Sequence, residues 1–482
     1  ANNLRVGNDL YQGLVTLDQN NNPIPGLADS WVVSNDGKTY TFHLRHGIKF
    51  SDGSPISAND FVYSWERLVN PKTGATYSYI ANSILNANKI IDNKLAFNTL
   101  GVKASGDDKL IVTMEHPDID FLAKLTQAAF SVVSQKNVEK YGNSWTDPAN
   151  IVTSGAYLVK EYVINGHITI IKNPYYYNAD KVKIAKVNFY PLFDTNTSVS
   201  KYKDGGLETT WTVPIDQFKS LKTTLGNQLH VTPTEGIIYY DINMLRPEFK
   251  DVRLRKALNL AVDRKVLTQD VLGTGVVPNY SNATDTIDNG AYKQVDYSWA
   301  NEPRDEQIKE AQELYKQAGY SKLNPLKLTI SYFTDDEQKK IALAIADMWI
   351  SVLGAKVQIV NQEFKYFLQA SLKGDYQIAA ARWFADYNGV STYLEYFKCN
   401  SSQNRVKLCD KEFDNYLDQA LNSADPKLAH NYYLKALYTL QDQYSTIPLY
   451  QMVTKILVKP YVKGYNPNTN HLDLVYSEWF HY

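Results

Sequence analysis

Five consecutive segments between residues 326 and 382 alternate between strand-like and helix-like patterns, and this alternation constrains the fold more than any other feature. Both helical patterns end at a glycine, Gly354 or Gly374. Strands that alternate with helices at this spacing pair in parallel through right-handed crossovers. The sequence therefore predicts an α/β domain here, with strands at 326–333, 356–360 and 376–382 and helices at Asp336–Leu353 and 363–373.

The segment that follows the last predicted strand is a candidate binding site. In open α/β sheets, ligands bind beyond the carboxyl ends of the strands. The sequence there is WFADYN at 383–388. Taken alone, an aspartate before Tyr-Asn is more often a turn residue than a ligand contact.

The flanking sequence predicts further elements. Strands at 157–164 and 167–171 flank Asn165-Gly166, the dipeptide of a two-residue type I′ hairpin. Helices are predicted at 120–140, 252–272 and 303–318. The first part of the chain otherwise has the pattern of strands and turns.

Length and charge exclude several classes of protein. A single hydrophobic core stops growing at about 250–300 residues, so we expect at least two lobes. The 482 residues carry 50 Lys+Arg and 51 Asp+Glu, a net charge of -1, which gives no global basic field for nucleic acid. Tyrosine (36) is more than twice as common as phenylalanine (17), a bias that suits a recognition surface and equally a carbohydrate-handling enzyme.

Targeting and cysteine content bear on location. The longest apolar stretch, at 341–355, is interrupted by Asp347 and is shorter than the ~20 residues that span a bilayer. The chain opens without a signal peptide, which leaves secretion open. Cys399 and Cys409 lie close together, and we expect a local disulfide in an oxidising compartment; two unpaired thiols are the alternative.

Signatures of catalysis and metal binding are weak. Gly37-Lys38-Thr39 lacks the leading glycine of a phosphate-binding loop, and no nucleophile elbow or zinc-protease motif occurs. His43 and His46 would point to opposite faces of a strand. The acidic run that begins at Asp335 opens a helix, where acidic residues favour the helix dipole. We expect no metal, no cofactor and no catalytic residues.

A longer pattern resembles a known family. The sequence KTYTFHLRHGIKFSDGSPISANDFVYSWER, beginning at Lys38, is similar to the signature region of the extracytoplasmic solute-binding proteins of peptide and nickel ABC importers, family 5. Ordered matches at 10–31, 150–157 (NIVTSGAY), 251–264 (DVRLRKALNLAVDR) and 383–388 cover the whole length. Together they resemble the oligopeptide-binding branch.

The resemblance implies the periplasmic binding protein fold of the cluster C type. This α/β fold has two large lobes with mixed sheets joined by a hinge, and a small extra α+β domain. The implied domain I comprises 1–12, 137–235 and 453–482, domain II 13–136, and domain III 236–452. The family's first strand has no counterpart before Asn3, so we expect domain I to lack it.

The resemblance also implies a set of ligand contacts. Asp386 matches the family's aspartate that pairs with a peptide's α-ammonium, and a buried ammonium requires such a partner. Trp383 and Tyr77 match contacts near the peptide's N-terminal end, and Phe364 matches a pocket-lining aromatic. Plausible cleft aromatics are Tyr239 and Tyr240, for which core packing is the alternative.

Four positions depart from the family. Where relatives offer cationic side chains to the peptide's carboxylate, this chain has uncharged residues, namely Leu272, Gln338, Ser371 and Ala380. Arg382 takes over this role if its strand has the assumed register. We therefore expect an altered ligand length, or a ligand with an amine at one end and an unusual far end.

The expected function is that of a periplasmic, non-enzymatic receptor. It would capture oligopeptides or a peptide-like solute in a closing interdomain cleft and deliver them, as a monomer, to the transmembrane subunits of an ABC permease. The alternative from a different class is a carbohydrate-active hydrolase with a Tyr/Trp-rich cleft. A third is a chaperone-like or adhesive surface protein.

Overall fold

The chain divides into two compact units in the computed structural model. The model describes residues 2–192, 194–401, 403–466 and 470–482, with the side chains of residues 2–4 excluded. The first unit comprises the chain up to Val213 together with Leu421–Ala429 and Ile456–Tyr482, and the second comprises Pro214–Ala420 and His430–Lys455. The three-domain division is finer than these two units and stays a prediction.

The described strands are, in chain order, β1 (Val15–Leu17), β2 (Pro23–Pro25), β3 (Ala28–Val33), β4 (Thr39–Leu44), β5 (Val102–Ala104), β6 (Lys109–Thr113), β7 (Tyr157–Val163), β8 (His167–Lys172), β9 (Lys186–Phe189), β10 (Leu229–Ile242), β11 (Val277–Pro278), β12 (Lys327–Phe333), β13 (Lys356–Gln362), β14 (Ile378–Phe384) and β15 (Thr446–Leu457).

The described α-helices are α1 (Asn2–Leu10), α2 (Ala58–Val69), α3 (Ala87–Ile91), α4 (Phe121–Lys124), α5 (Gln135–Tyr141), α6 (Thr195–Lys203), α7 (Phe218–Leu225), α8 (Val252–Ala261), α9 (Ile287–Gly290), α10 (Arg304–Gln317), α11 (Asp336–Leu353), α12 (Phe364–Lys373), α13 (Ser391–Leu394), α14 (Lys411–Leu421) and α15 (Pro426–Asp442). Among the residues described, none of these helices is long and apolar enough to cross a membrane.

The first unit contains three small antiparallel sheets, with strand orders β1-β2, β3-β4-β6-β5 and β7-β8-β9. The predicted hairpin is confirmed, but the predicted turn type is wrong. Val163 pairs with His167 across a three-residue loop, and only Asn165 has a positive φ (58°), so the loop is not the two-residue type I′ turn.

The helix predicted at 120–140 is also wrong, because this segment forms α4 and α5, with a 3₁₀ turn at Ala128–Phe130 between them. Asp118 forms a buried ion pair with Lys124, at 2.9 Å, that fixes the first short turn. Ser131 is extended (φ -66°, ψ 149°), and Ser134 then caps α5 by accepting a hydrogen bond from the Asn137 N–H. Ser134 therefore marks the start of a separate helix.

Residues from both ends of the chain complete the first unit. Asp9, on α1, is buried and accepts hydrogen bonds from the Ser477 N–H (2.7 Å) and the Ser477 hydroxyl (2.6 Å). The Tyr176 hydroxyl donates to Gln12 at 3.0 Å. Burial raises the pKa of Asp9 to about 7. The C-terminal segment is therefore an integral part of this unit.

The second unit is built on a six-stranded mixed sheet of order β11-β15-β10-β14-β12-β13. Strand β12 pairs in parallel with β13 and with β14, which confirms the parallel pairing predicted from the alternation. The predicted bounds of α11 are confirmed, since Asp335 caps its start and Gly354, with φ 69°, ends it. This sheet places the end of β14 at one edge.

The helix predicted at 252–272 is interrupted. Helix α8 ends at Ala261, and a π-helical turn, Val266–Leu272, follows. Arg264 is 1% exposed and donates to the carbonyls of Asn259, Val262 and Pro448, so it satisfies groups that the helix end leaves open. The break is also marked locally, because Asp263 caps the following turn by accepting hydrogen bonds from the Lys265 and Val266 N–H groups.

Candidate functional site

The predicted WFADYN segment lies at the carboxyl end of β14, between β10 and β12 in the sheet. Asp386 follows the strand by two residues and is partly exposed. Its N–H donates to the Thr392 hydroxyl at 3.2 Å, and the neighbouring Ala385 N–H donates to the Glu235 carbonyl at 2.7 Å. The backbone before the carboxylate is thus held from two sides.

Aromatic rings line one face of the sheet beside Asp386. Trp383 lies 5.4 Å from Tyr396, and Tyr396 lies 6.5 Å from Tyr239, measured between ring centroids. The Trp383 indole donates to the Thr392 hydroxyl at 3.4 Å. Thr392 therefore links the orientation of Trp383 to the backbone of Asp386.

Two buried charged residues, Asp241 and Arg405, hold the hydroxyl of Tyr396. The Tyr396 hydroxyl donates to Asp241 at 3.1 Å and accepts from the Arg405 Nε at 2.8 Å. Arg405 also lies 3.5 Å from the Asp241 carboxylate. Burial raises the pKa of Asp241 to about 6, and the Arg405 charge opposes that shift. The ring of Tyr396 is consequently fixed at both its edge and its hydroxyl.

Arg382 and Phe364 come together on the opposite face. The Arg382 guanidinium lies 5.0 Å from the Phe333 ring centroid, and Phe333 meets Phe364 edge-on at 5.5 Å. Phe364 is 48% exposed, and Arg382 is also exposed. Among the described residues no carboxylate lies within 4.0 Å of Arg382, so its guanidinium can receive an anion.

The two candidate tyrosines of β10 point to opposite faces, as successive strand residues do. Tyr240, at 0% exposure, packs in the hydrophobic core opposite Ala380, and Tyr239 is 2% exposed against Tyr396. Core packing is the role that the structure gives Tyr240, because its face of the sheet is covered by helices of the same unit. Tyr239 supports the aromatic cluster rather than presenting a free surface.

The four positions that lack the expected cations are all buried. Leu272 and Ala380 belong to the hydrophobic core, and the Ser371 hydroxyl donates to the Phe367 carbonyl at 2.8 Å. Arg382 lies two residues beyond Ala380, on the same face of β14, and is exposed where Ala380 is not.

A buried acid that sequence reasoning missed holds the loops next to Asp386. Glu235 is 3% exposed and accepts a hydrogen bond from Thr284, whose hydroxyl lies 3.3 Å from that of Tyr393. Burial raises the pKa of Glu235 to about 7, and hydrogen bonds from Thr284, Thr286 and Tyr393 oppose the shift. No local pattern marks Glu235, since its partners are distant in sequence.

Asp288 ties the same loops together. Its N–H donates to Asn388 at 2.8 Å, and its carboxylate accepts from the Val390 N–H at 2.8 Å. Asp288 has φ 50°, an uncommon conformation for a residue other than glycine. Such strain persists only where the surrounding contacts determine the backbone, which they do here.

Tyr77 belongs to the first unit, whereas the other candidate ligand contacts belong to the second. It is 39% exposed and stacks on Tyr79 at 5.7 Å between ring centroids.

The predicted disulfide between Cys399 and Cys409 is confirmed. It closes a loop of the second unit just beyond Tyr396. The part of the chain that the structure describes contains no cluster of three or more His, Cys, Asp or Glu side chains able to hold a metal ion.

Comparisons with known proteins agree with this architecture. Residues 22–405 match the sequence profile of the bacterial extracellular solute-binding proteins, family 5. The chain is 37% identical to the periplasmic oligopeptide-binding protein OppA of Escherichia coli over 98% of its own length and 87% of that protein. It is 34% identical to the periplasmic murein peptide-binding protein MppA of the same organism, over 98% and 88% of the two chains.

A solved structure shows the same fold. The crystal structure of Haemophilus influenzae OppA in complex with the peptide RPPGFSPFR superposes with a TM-score of 0.84 at 36% identity, covering 99% of this chain and 93% of that one. The α/β fold predicted from the resemblance is thereby confirmed, and the match to binding proteins sets the hydrolase alternative aside. This chain belongs to family 5 of the bacterial extracellular solute-binding proteins.

Proposed function

We propose that this protein captures peptides in the periplasm and delivers them to the transmembrane subunits of an ABC permease. The relatives described above are named for binding oligopeptides and murein peptides, and one was solved with a nonapeptide bound. The observation that carries the proposal is the partly exposed Asp386 carboxylate, set beside Trp383 on a backbone fixed by Thr392. The protein acts as a monomer and needs no cofactor.

Asp386 pairs with the α-ammonium of the peptide in this proposal. A charge-assisted hydrogen bond in a partly desolvated site is about twice as strong as a neutral one. Trp383 packs against the first residue of the ligand, and its indole is oriented by Thr392 at 3.4 Å. Tyr77 is a further contact from the first unit.

Arg382 and Phe364 recognise the far end of the ligand. The guanidinium rests on Phe333, which leaves its in-plane N–H groups available to a carboxylate, and the exposed Phe364 ring offers an apolar wall. The buried, uncharged residues at the four alternative positions cannot supply that charge. The three-domain organisation and hinge closure around the ligand are part of the same proposal.

Calorimetry with one peptide in three forms tests this function. The titrants are a tripeptide with free ends, its N-acetylated form and its C-terminal amide. Since hydrogen bonds to charged groups contribute about 1.5–3 kcal/mol, D386N should weaken binding of the free peptide by about 10- to 150-fold. The acetylated peptide should bind weakly to the wild-type protein and be insensitive to D386N.

Asp375 provides a matched control, since it lies in the same unit with its side chain 83% exposed, 3.9 Å from Arg246. D375N should leave affinity unchanged. The Arg382 assignment predicts that R382Q abolishes the preference for the free acid over the amide. Equal binding of free and acetylated peptide by both wild-type protein and D386N would refute the role of Asp386. Native mass spectrometry of the purified protein would identify retained cargo.

A further inference from the structure

A cavity of about 420 Å³ is lined entirely by residues of the first unit. Its walls include the aromatic rings of Tyr11, Tyr77 and Trp145 and the apolar side chains of Leu68 and Val133. A volume of this size lies in the lower part of the range for small-molecule sites, about 300–1,000 Å³. It fits a ligand about as large as an amino acid or a dipeptide.

Arg67 supplies the cationic group of this cavity. It lies in the last turn of α2, and its guanidinium carbon sits 5.4 Å from the centroid of the Trp145 ring. Within the described part of the chain, no carboxylate approaches Arg67 to within 4.0 Å and no acceptor takes a hydrogen bond from its guanidinium. Stacking on an aromatic face leaves the in-plane N–H donors of a guanidinium unobstructed.

The same wall contains a second donor without an acceptor. The Tyr11 hydroxyl is buried and has no hydrogen-bond partner among the described residues, and its ring lies 6.1 Å from Trp145. Burial raises the pKa of Tyr11, and the charge of Arg67 acts against that shift. Both side chains lie beside the Trp145 ring. Arg67 and Tyr11 are therefore two donors at this wall that have no acceptor among the described residues.

We propose that this cavity binds a small organic carboxylate with an apolar or aromatic body. The carboxylate accepts two parallel hydrogen bonds from Arg67, and the body packs between Trp145 and Tyr77. One guanidinium matches a single negative charge, which favours a carboxylate over a phosphate. The site uses neither Asp386 nor Arg382, and it shares only Tyr77 with the peptide function proposed above.

Calorimetry on the full chain with N-acetylphenylalanine and N-acetylphenylalaninamide tests the proposal. These probes lack an α-ammonium, so they do not depend on the peptide anchor. The acid should bind saturably with one-to-one stoichiometry, and the amide at least tenfold more weakly. R67Q should weaken binding of the acid at least tenfold. R67K keeps the charge but loses the planar guanidinium, so its affinity for the acid should lie between those of wild type and R67Q.

Arg45 is the matched control, because it lies in the same unit with its guanidinium 4.6 Å from the Tyr177 ring centroid and donates to the Gly26 carbonyl. R45Q, D386N and R382Q should leave the affinity for the acid unchanged. The proposal fails if acid and amide bind equally, if neither probe saturates, or if R67Q binds as wild type does. Loss of binding in D386N or R382Q would place the probe in the second unit and refute it too.

Folding of R67Q is checked by its circular dichroism spectrum and thermal midpoint. Should R67Q fail to fold, the comparison of acid with amide on R382Q still decides the matter. That variant lacks the other guanidinium assigned to a carboxylate, so a preference for the acid that persists in R382Q supports the cavity, and a preference that disappears refutes it.

Discussion

Replacing Glu235 by glutamine should change how the stability of the second unit depends on pH. Glu235 is 3% exposed, and burial raises its pKa from 4.5 to about 7. As pH rises from 4.5 to 7, the unfolded chain releases this proton while the folded chain keeps it. The folded state then binds more protons than the unfolded state, so stability falls with rising pH.

The size of the effect follows from the shift. One pKa unit corresponds to about 1.4 kcal/mol, so a shift from 4.5 to about 7 in Glu235 costs about 3 kcal/mol once the pH exceeds the folded pKa. Glutamine resembles the protonated acid in shape and cannot ionise. E235Q should therefore match wild type near pH 4 and be more stable by about 3 kcal/mol near pH 8.

Urea unfolding at several pH values, followed by tryptophan fluorescence, measures this difference. Other buried acids, such as Asp9 and Asp241, titrate in both proteins and cancel in the comparison. A difference between E235Q and wild type that stays constant from pH 4 to pH 8 would refute the reasoning, because the cost would then not arise from ionisation.

Two further substitutions test the supports of the site. R405M should destabilise the protein by about 3–5 kcal/mol, because it leaves the 1%-exposed Asp241 without its counter-charge. Its control, R253M, removes an exposed ion pair and should lower the free energy of unfolding by about 1 kcal/mol or less in the same urea assay. C399S should lower stability by about 3 kcal/mol, the chain-entropy value for the short loop closed by Cys399 and Cys409, and a reductant should have the same effect on wild type alone. Equal costs for the two arginine variants, or a C399S midpoint equal to wild type, would contradict these expectations.

Local signals in the sequence predicted the elements that local chemistry controls. Helix α11 has the predicted bounds because Asp335 caps its first turn and Gly354 adopts the left-handed conformation that ends it. The prediction missed the break after Ala261, where Asp263 caps the following turn and Arg264 donates to the distant Pro448 carbonyl. A helical pattern records the spacing of apolar residues and contains no information about such contacts.

The residues of the candidate site likewise divide into those that the sequence predicted and those that only distant contacts bring together. Asp386 and Trp383 were located by the end of a predicted strand and by the family resemblance. The strand is confirmed, but it ends at Phe384 rather than at Arg382, so Trp383 lies within it. Glu235 and Thr284 are 49 residues apart, and Asp241 and Tyr396 are 155 apart, so only the folded sheet brings them together. Buried polar partners of this kind are invisible to periodicity and to motif searches.

The closure of the first unit by Asp9 and Ser477 bears on how the protein is made. Because the two partners are 468 positions apart, the ribosome must synthesise the chain beyond Ser477 before this contact can form. Domains whose pieces emerge together fold during synthesis, and this one has to wait. A chain truncated before Ile456 would lack one segment of the first unit, and the buried Asp9 carboxylate would lose both hydrogen bonds from Ser477.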